Sequence, residues 1–471
     1  MQAGGKRGYF KEVMQIAWPL IISSGTNAVM QFCDRVFLAR YDSTSIQAAL
    51  PAGVLSFTLC CLFQAVAGYS GTFAAQYCGA GDTRSTLKSA VQGLWISVLT
   101  LPLILLLIPA GYFIIDVCGH SLEVRAAEKL YFLILMLGGG LLSTNAALSG
   151  YFSGIGRTKL TMVANVAGTA LNLLLDYLFI FGHWGFPQMG IAGAGIATVI
   201  GLSLPCLIQG WVFAKEIRKG TLAGHSRKLL LMPDLPLLSR ICRFGVPAGL
   251  HQLVDVGAFA VFVMMTGRLD ALSLAASNIG FSINHLAFAP LFGIGVAASV
   301  VVGQHQGARD SDSAVRAGWS SVKIGFIYMT VIGGSFALLP DFYYTLFGAG
   351  NADYTIDQLL TTGRPLMRLM AFWGFFEVLN IILGGALKGA GDTKFVMWYI
   401  TIGGWGVWLP SAALALSLGA DILTQWMIIS VYCVFLAVGF LIRWRLGRWR
   451  TIRVIEEPAV PENIPPYTSP V

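Results

Sequence analysis

Charged side chains are scarce in this chain. Of 471 residues only 31 are Lys or Arg and 23 are Asp or Glu, 11% together, where soluble domains carry about 25%. Water cannot be the solvent for such a surface, which excludes an ordinary cytosolic enzyme. The eight cysteines (Cys33, Cys60, Cys61, Cys78, Cys118, Cys206, Cys242 and Cys433) contain no C-x-x-C pair, so neither a thiolate metal site nor a redox motif is expected, and they read as small buried hydrophobes. There is no metal-spaced His cluster, no buried Ser/His/Asp set and no phosphate-cradling loop followed by Lys, so no enzyme and no cofactor is expected. The basic N-terminus (Lys6, Arg7, Lys11) leads into an apolar stretch too long for a signal-peptide core, with no small-residue cleavage site before it, so no cleavage is expected.

What the chain has instead is 56% apolar residues, 55 Gly and a mean hydropathy of +0.70. Helices of ~20 apolar residues cross a bilayer, and breaking the chain at polar clusters predicts twelve spans: 13–39, 46–77, 88–116, 124–153, 158–182, 189–215, 240–267, 272–304, 315–347, 358–388, 395–418 and 422–443. Putting both termini on the inner side gathers basic residues there, from Lys6 and Arg84 through the Lys215–Arg243 loop to Arg453. Only Arg35, Arg40, Arg125, Lys129, Arg268, Arg364 and Arg368 fall outside. That asymmetry is the positive-inside rule. It accounts for the net charge of +8 as topology and membrane-lipid contact, and nucleic acid is not expected as a partner. The Pro-rich tail after Arg453 reads as disordered.

The chain repeats itself. At an offset of 228, Pro19 meets Pro247, Ala39-Arg40-Tyr41-Asp42 meets Gly267-Arg268-Leu269-Asp270, and Gln76 to Asp82 meets Gln304 to Asp310. At an offset of 235, Leu148, Gly150, Gly154, Gly156, Thr158 and Lys159 meet Leu383, Gly385, Gly389, Gly391, Thr393 and Lys394. Each half has six spans and begins inside, which predicts parallel repeats of the kind found in alternating-access carriers. The organisation expected is a cytoplasmic N-terminus 1–12, an N-lobe 13–216, a cytoplasmic linker 217–239, a C-lobe 240–446 and a cytoplasmic tail 447–471.

A carboxylate at mid-bilayer costs at least ~2.5 kcal/mol and needs a partner, a cavity or a proton. Four acids stand in the spans: Asp34, Asp176, Asp255 and Glu377. In span 1, Ser23, Asn27, Gln31 and Asp34 share one helical face, as do Asn165, Thr169, Asn172 and Asp176 in span 5. Asp34, Asp176 and, in span 6, Thr198 lie five to nine residues from the outer ends, roughly 7–14 Å deep, so they can meet. Two carboxyls with amide and hydroxyl oxygens suit Na+ or a shared proton; the alternative is Asp34 paired with Arg35 or Arg40. In the second half, His251 and Asp255 are one turn apart, and Trp373, Glu377 and Asn380 share a face. They suit a second cation or proton site, a counter-charge for cationic substrates, or protonated carboxyls inside a bundle. Asn284 and His285 are weaker candidates, His285 being read as a satisfied core residue; Arg364 and Arg368 snorkel or face a vestibule. Trp373, Phe259, Phe262, Phe281 and Phe288 are candidates to line a cavity.

Trp18-Pro19-Leu20, Asp34 to Arg40, Gln76 to Asp82, Leu148 to Thr158, Asn172 to Asp176, Gly190 to Thr198 and Leu387-Lys388-Gly389-Ala390-Gly391-Asp392-Thr393 together resemble the multidrug and toxic compound extrusion (MATE) family, over almost the whole chain. The resemblance implies an all-α membrane protein of twelve helices in two pseudo-symmetric six-helix bundles. Its implied activity is an antiporter in the inner membrane that exports amphipathic, often cationic drug-like compounds in exchange for Na+ or H+, acting as a monomer. The family's cation positions carry over to Asp34, Asn172, Asp176 and Thr198, with Na+ as the candidate metal at Asp34, Asn172 and Asp176. The C-lobe acids of NorM-like members fall on Asp255 and Glu377 with Asp and Glu exchanged, Trp373 stands where an aromatic hydroxyl is common, and Asp176 resembles the DinF-like branch. A flippase for lipid-linked or polysaccharide precursors is the alternative, although such a protein would want a cationic cavity, whereas the mid-membrane charges here are acidic.

Overall fold

The computed structural model describes residues 6–222, 226–267, 269–347 and 355–456, and every regular element among them is helical. In the first half these are α1 (Lys6–Tyr41), α2 (Ser43–Gly68), α3 (Ser70–Gly79), α4 (Thr83–Leu106), α5 (Ile108–Val117), α6 (Leu122–Leu137), α7 (Gly139–Gly154), α8 (Thr158–Phe181), α9 (Ile191–Leu222) and the short α10 (Arg227–Leu231). The second half has α11 (Leu235–Thr266), α12 (Ala271–Gly307), α13 (Ser311–Leu338), α14 (Pro340–Phe347), α15 (Ile356–Gly389), α16 (Thr393–Thr401), α17 (Leu409–Ser417) and α18 (Ile422–Leu446). A π-helical turn, Ile402–Trp408, joins α16 to α17. Arg268 and the tail from 457 onward lie outside the described residues.

This is a multi-pass membrane protein. Among the described residues ten helices or continuous helix pairs are long and apolar enough to cross a bilayer, and α6 with α7, bent by 41°, makes an eleventh. The bend falls at the Gly138-Gly139-Gly140 run, where Gly138 backs onto Val199 and Gly139 onto Cys60 and Ile104. The remaining expected span is α1, whose polar stripe keeps it below that hydropathy. One boundary differs from expectation: the ninth span does not run to 347 but stops at Leu338, because Pro340 has no N–H to continue the helix and restricts the residue before it.

The described residues divide into two compact units. One comprises 22–253, 303–311 and 453–456; the other comprises 6–21, 254–302 and 312–452. The repeats of the sequence recur as repeated packing. In the first unit a Cβ on Gly154 would strike the Gly71 carbonyl; in the second, a Cβ on Gly389, 235 residues later, would strike the Ser299 carbonyl. Each helix crossing is thus close enough that only Gly fits on one side. Within the first unit the matched Gln76–Gly79 and Gln304–Gly307 segments also pack reciprocally, Gly79 on the Gln304 carbonyl and Gly307 on the Gln76 carbonyl. The repeated acids Asp42 and Asp270 are helix N-caps. Each accepts from the backbone N–H and the hydroxyl of a serine three residues on, Ser45 for α2 and Ser273 for α12.

Candidate functional site

In the first unit, α8 and α9 form a hairpin held close by glycine: Gly193 lies against the Phe179 backbone, Gly201 against the Asn172 Cβ, and Gly168 against the Gly201 carbonyl and Pro205. This packing fixes the polar face of α8 toward α1. Along the contact, Asn165 Nδ2 donates to Ser23 Oγ (2.8 Å), Thr169 approaches Met30 Sδ (4.0 Å), and Asp176 meets Asp34. Residue numbers rise together on the two helices, so they run in the same direction.

The Asp34 and Asp176 carboxyls face each other within hydrogen-bond reach, and Asn172 lies beside Asp176. Asn172 and Asp176 have no exposed surface. Asp34 Oδ1, both Asp176 oxygens and both amide atoms of Asn172 are buried without a well-formed hydrogen bond among the described residues. Buried polar atoms are normally satisfied, and two carboxyls in contact cannot both stay ionised without a proton or cation between them. The oxygens of Asp34, Asp176 and Asn172 fit a hard cation or a proton. Thr198 gives its hydroxyl hydrogen to the Ala194 carbonyl (2.9 Å), and Tyr131 sits beside Thr198 in the field of both acids. Tyr131 was not legible in the sequence, where it is one aromatic in an apolar run. Arg35 is near enough to act on Asp34 electrostatically but is exposed, and Arg40 is exposed as well; neither forms an ion pair with Asp34 among the described residues.

The structure separates other residues from this cluster. Asn165 belongs to a chain of bonds eleven residues before Asp176: Asn145 Nδ2 to Asn165 Oδ1 (3.5 Å), Gln209 Nε2 to Asn145 Oδ1 (3.0 Å), and Ser149 Oγ to Gln209 Oε1 (3.2 Å). Gln31 is half-buried and Asn27 exposed.

In the second unit Glu377 is held by its own helix: Asn380 Nδ2 donates to Glu377 Oε1 (2.8 Å) and to the Cys433 carbonyl (3.2 Å), with the Cys433 thiol also beside the carboxyl. Asp255 is exposed and lies in the field of Glu377 and Lys388. His251, one turn earlier on α11, falls in the first unit. Around these acids runs an aromatic stack. Trp373 lies parallel on Trp426 (centroids 5.1 Å), Trp426 on Phe281 (4.9 Å), and Phe281 meets Phe259 edge-on. Trp408 stacks on Tyr432 (4.9 Å) and contacts Phe262. The π-helical turn aims Trp405 Nε1 at the Val254 carbonyl (3.0 Å), one residue before Asp255. Trp373 Nε1, Trp408 Nε1, the Tyr432 hydroxyl and Asn380 Oδ1 are buried without a partner among the described residues.

Several expectations change here. Of the five candidate cavity aromatics, Phe259 is 41% exposed and Phe281 half-buried, while Trp373, Phe262 and Phe288 lie in the core. His285, expected in the core, is exposed, and Asn284 is half-buried. Arg364 is exposed. It grips Asp341 with two bonds (2.7 and 3.0 Å) and holds that carboxyl below the ordinary carboxylate range; Arg368 adds a weaker pull. Among the described residues no group of three or more His, Cys, Asp or Glu could hold a metal ion.

A family model described as MatE matches residues 19–178 and again 247–414. The chain belongs to the MatE family. The two matches begin 228 residues apart, the offset at which Pro19 meets Pro247. Among similar proteins, a probable multidrug resistance protein NorM from Pseudomonas putida is 28% identical over 93% of this chain and 95% of its own length. Multidrug resistance protein MdtK from Proteus mirabilis is 24% identical over 86% and 88%. The fold matches that of an outward-facing multidrug resistance MATE family transporter of the MOP superfamily (TM-score 0.81, 19% identity, 93% of this chain and 95% of that one). It equally matches a MOP superfamily transporter from Pyrococcus furiosus (TM-score 0.81, 19% identity, 93% and 95%).

Proposed function

We propose that this MatE protein is a secondary active multidrug efflux antiporter, exporting amphipathic cationic organic compounds in exchange for Na+ or H+ by alternating access of an N-lobe (13–216) and a C-lobe (240–446). It acts in the inner membrane with both termini cytoplasmic, the orientation favoured by the basic bias of the loops. The names of its relatives support multidrug efflux. The observation that carries the coupling is the buried Asp34–Asp176 contact with Asn172 beside it. Its oxygens are unsatisfied by protein, and burial makes leaving them so costly.

In this reading Asp34, Asp176 and Asn172 take up the coupling ion, which neutralises the carboxyls and lets α1 pack on α8. Releasing the ion restores repulsion between them. An ion can drive a lobe only by binding one state better than the other, and the coupling is reciprocal, so substrate must alter ion affinity by the same factor. Asp255 and Glu377, beside the aromatic stack, supply negative charge and ring faces for an organic cation. The test is efflux of a cationic dye from vesicles containing the purified protein, driven by a Na+ gradient alone and then by a pH gradient alone. Efflux should respond to one of them; response to neither would overturn the antiporter reading.

A further inference from the structure

The first unit carries an open groove of about 560 Å³ between α2, α4 and the first half of α11, lined by none of the residues assigned to ion or substrate. Gly245 and Gly249 seat α11 directly on α2 at Val66 and Leu62, while α4 stands back. The gap is lined by residues such as Leu62, Phe63, Leu99 and Cys242. Its hydroxyls come from Thr100 and Ser239, and Thr100 spends its proton on the Ser97 carbonyl (3.2 Å). No carboxylate lines it. A polar or cationic solute would find nothing there to replace its water; a hydrocarbon chain would.

One end of the groove is built differently. There the segment after α10 is strapped across α4: Trp95 Nε1 donates to the Leu231 carbonyl (3.0 Å), Gln92 bonds both Met232 and Asp234, and Lys88 pairs with Asp234. Arg240 pairs with Glu456 and the Val454 carbonyl. Those pairings engage Asp234 and Glu456. Arg243, four residues after Ser239 and next to Cys242 on α11, is exposed and pairs with no carboxylate among the described residues.

We propose that this groove binds one acyl chain of an anionic phospholipid, with the phosphate held by Arg243. The apolar lining selects a hydrocarbon, and the uncompensated Arg243 beside it selects a negative headgroup over a zwitterionic one and repels cationic drugs. Basic sites between spans recognise anionic headgroups in this way. The site adds to the transport reading without depending on it.

Cys242, in the lining, reports occupancy. The full chain in detergent is titrated with phosphatidylglycerol or with phosphatidylcholine of the same chains, and alkylation of Cys242 by a maleimide is followed by peptide mass spectrometry. Phosphatidylglycerol should protect Cys242 at lower mole fraction than phosphatidylcholine. Arg243→Gln should weaken that protection about fivefold, and Thr100→Phe, which fills the groove, should abolish the effect of lipid on thermal unfolding. Equal protection by both lipids, unchanged protection in Arg243→Gln, or stronger protection by a cationic dye without lipid would each overturn the proposal. If Thr100→Phe does not fold, the comparison of the two lipids on the unmodified chain decides alone.

Discussion

The two acidic clusters occupy halves that share a scaffold and differ in chemistry. In the first unit two carboxyls touch and three of their four oxygens are buried without a well-formed hydrogen bond among the described residues; in the second, Glu377 is already bonded by Asn380 and flanked by Cys433, Asp255 stands exposed, and the surroundings are stacked rings. The glycine crossings and capping aspartates recur in both. Duplication thus preserved what holds helices together, while the residues that face one another between helices diverged. In the antiport proposal the first cluster takes the ion and the second presents charge beside aromatic faces.

The sharpest way to break that contrast is to neutralise one acid on each side. Asp34→Asn should lower ion-driven dye efflux by roughly tenfold or more, whereas Glu377→Gln, whose neighbours already donate to it, should lower it by about fivefold, the low end of coupling effects. Efflux from reconstituted vesicles measures both, and a larger loss for Glu377→Gln would reverse the assignment. The stack belongs to the second unit, so Trp426→Ala, which removes a ring with no exposed surface, should cost about 3–5 kcal/mol in chemical unfolding. Tyr131→Phe in the first unit, which removes only a hydroxyl, should cost about 1 kcal/mol.

The shared scaffold makes the opposite prediction. Gly154→Ala and Gly389→Ala should destabilise about equally, by about 1–3 kcal/mol; a large inequality would mean that the two crossings are not equivalent. Asp42→Ala and Asp270→Ala should each cost about 1 kcal/mol. Asp270 adds a pH test. Bonds from the Ser273 side chain and backbone hold its carboxyl below the ordinary 3.8, so its contribution is present above that value and lost as pH falls through the lower folded one. Denaturation of Asp270→Ala should therefore differ from the parent above pH 3.8 and converge with it in stronger acid.

Much of this was legible in the chain. Hydropathy marked the spans, and the spacing of Ser23, Asn165, Asp34 and Asp176 put α1 against α8, because a polar stripe in lipid must find protein or water. The same logic could not place Asn27, since a stripe reveals only that it avoids lipid, and Asn27 turned out exposed. Tyr131, Tyr432 and Cys433 sit in apolar runs, where nothing separates a residue beside a carboxyl from one against lipid. Lys388 falls at the inner end of a span by sequence and lies half-buried in the last turn of α15 in the field of Asp255. The π-helical turn at Ile402–Trp408 shows in the sequence only as glycines, which signal close approach and irregular backbone alike.

In the antiport proposal Asp34 and Asp176 act as one ion site. A double-mutant cycle of Asp34→Asn, Asp176→Asn and both together, read as ion-driven efflux, tests it most directly. Groups that share one ion lose nearly everything with the first substitution, so the double variant should be little worse than either single one. Additive losses, or undiminished efflux in Asp34→Asn, would contradict it.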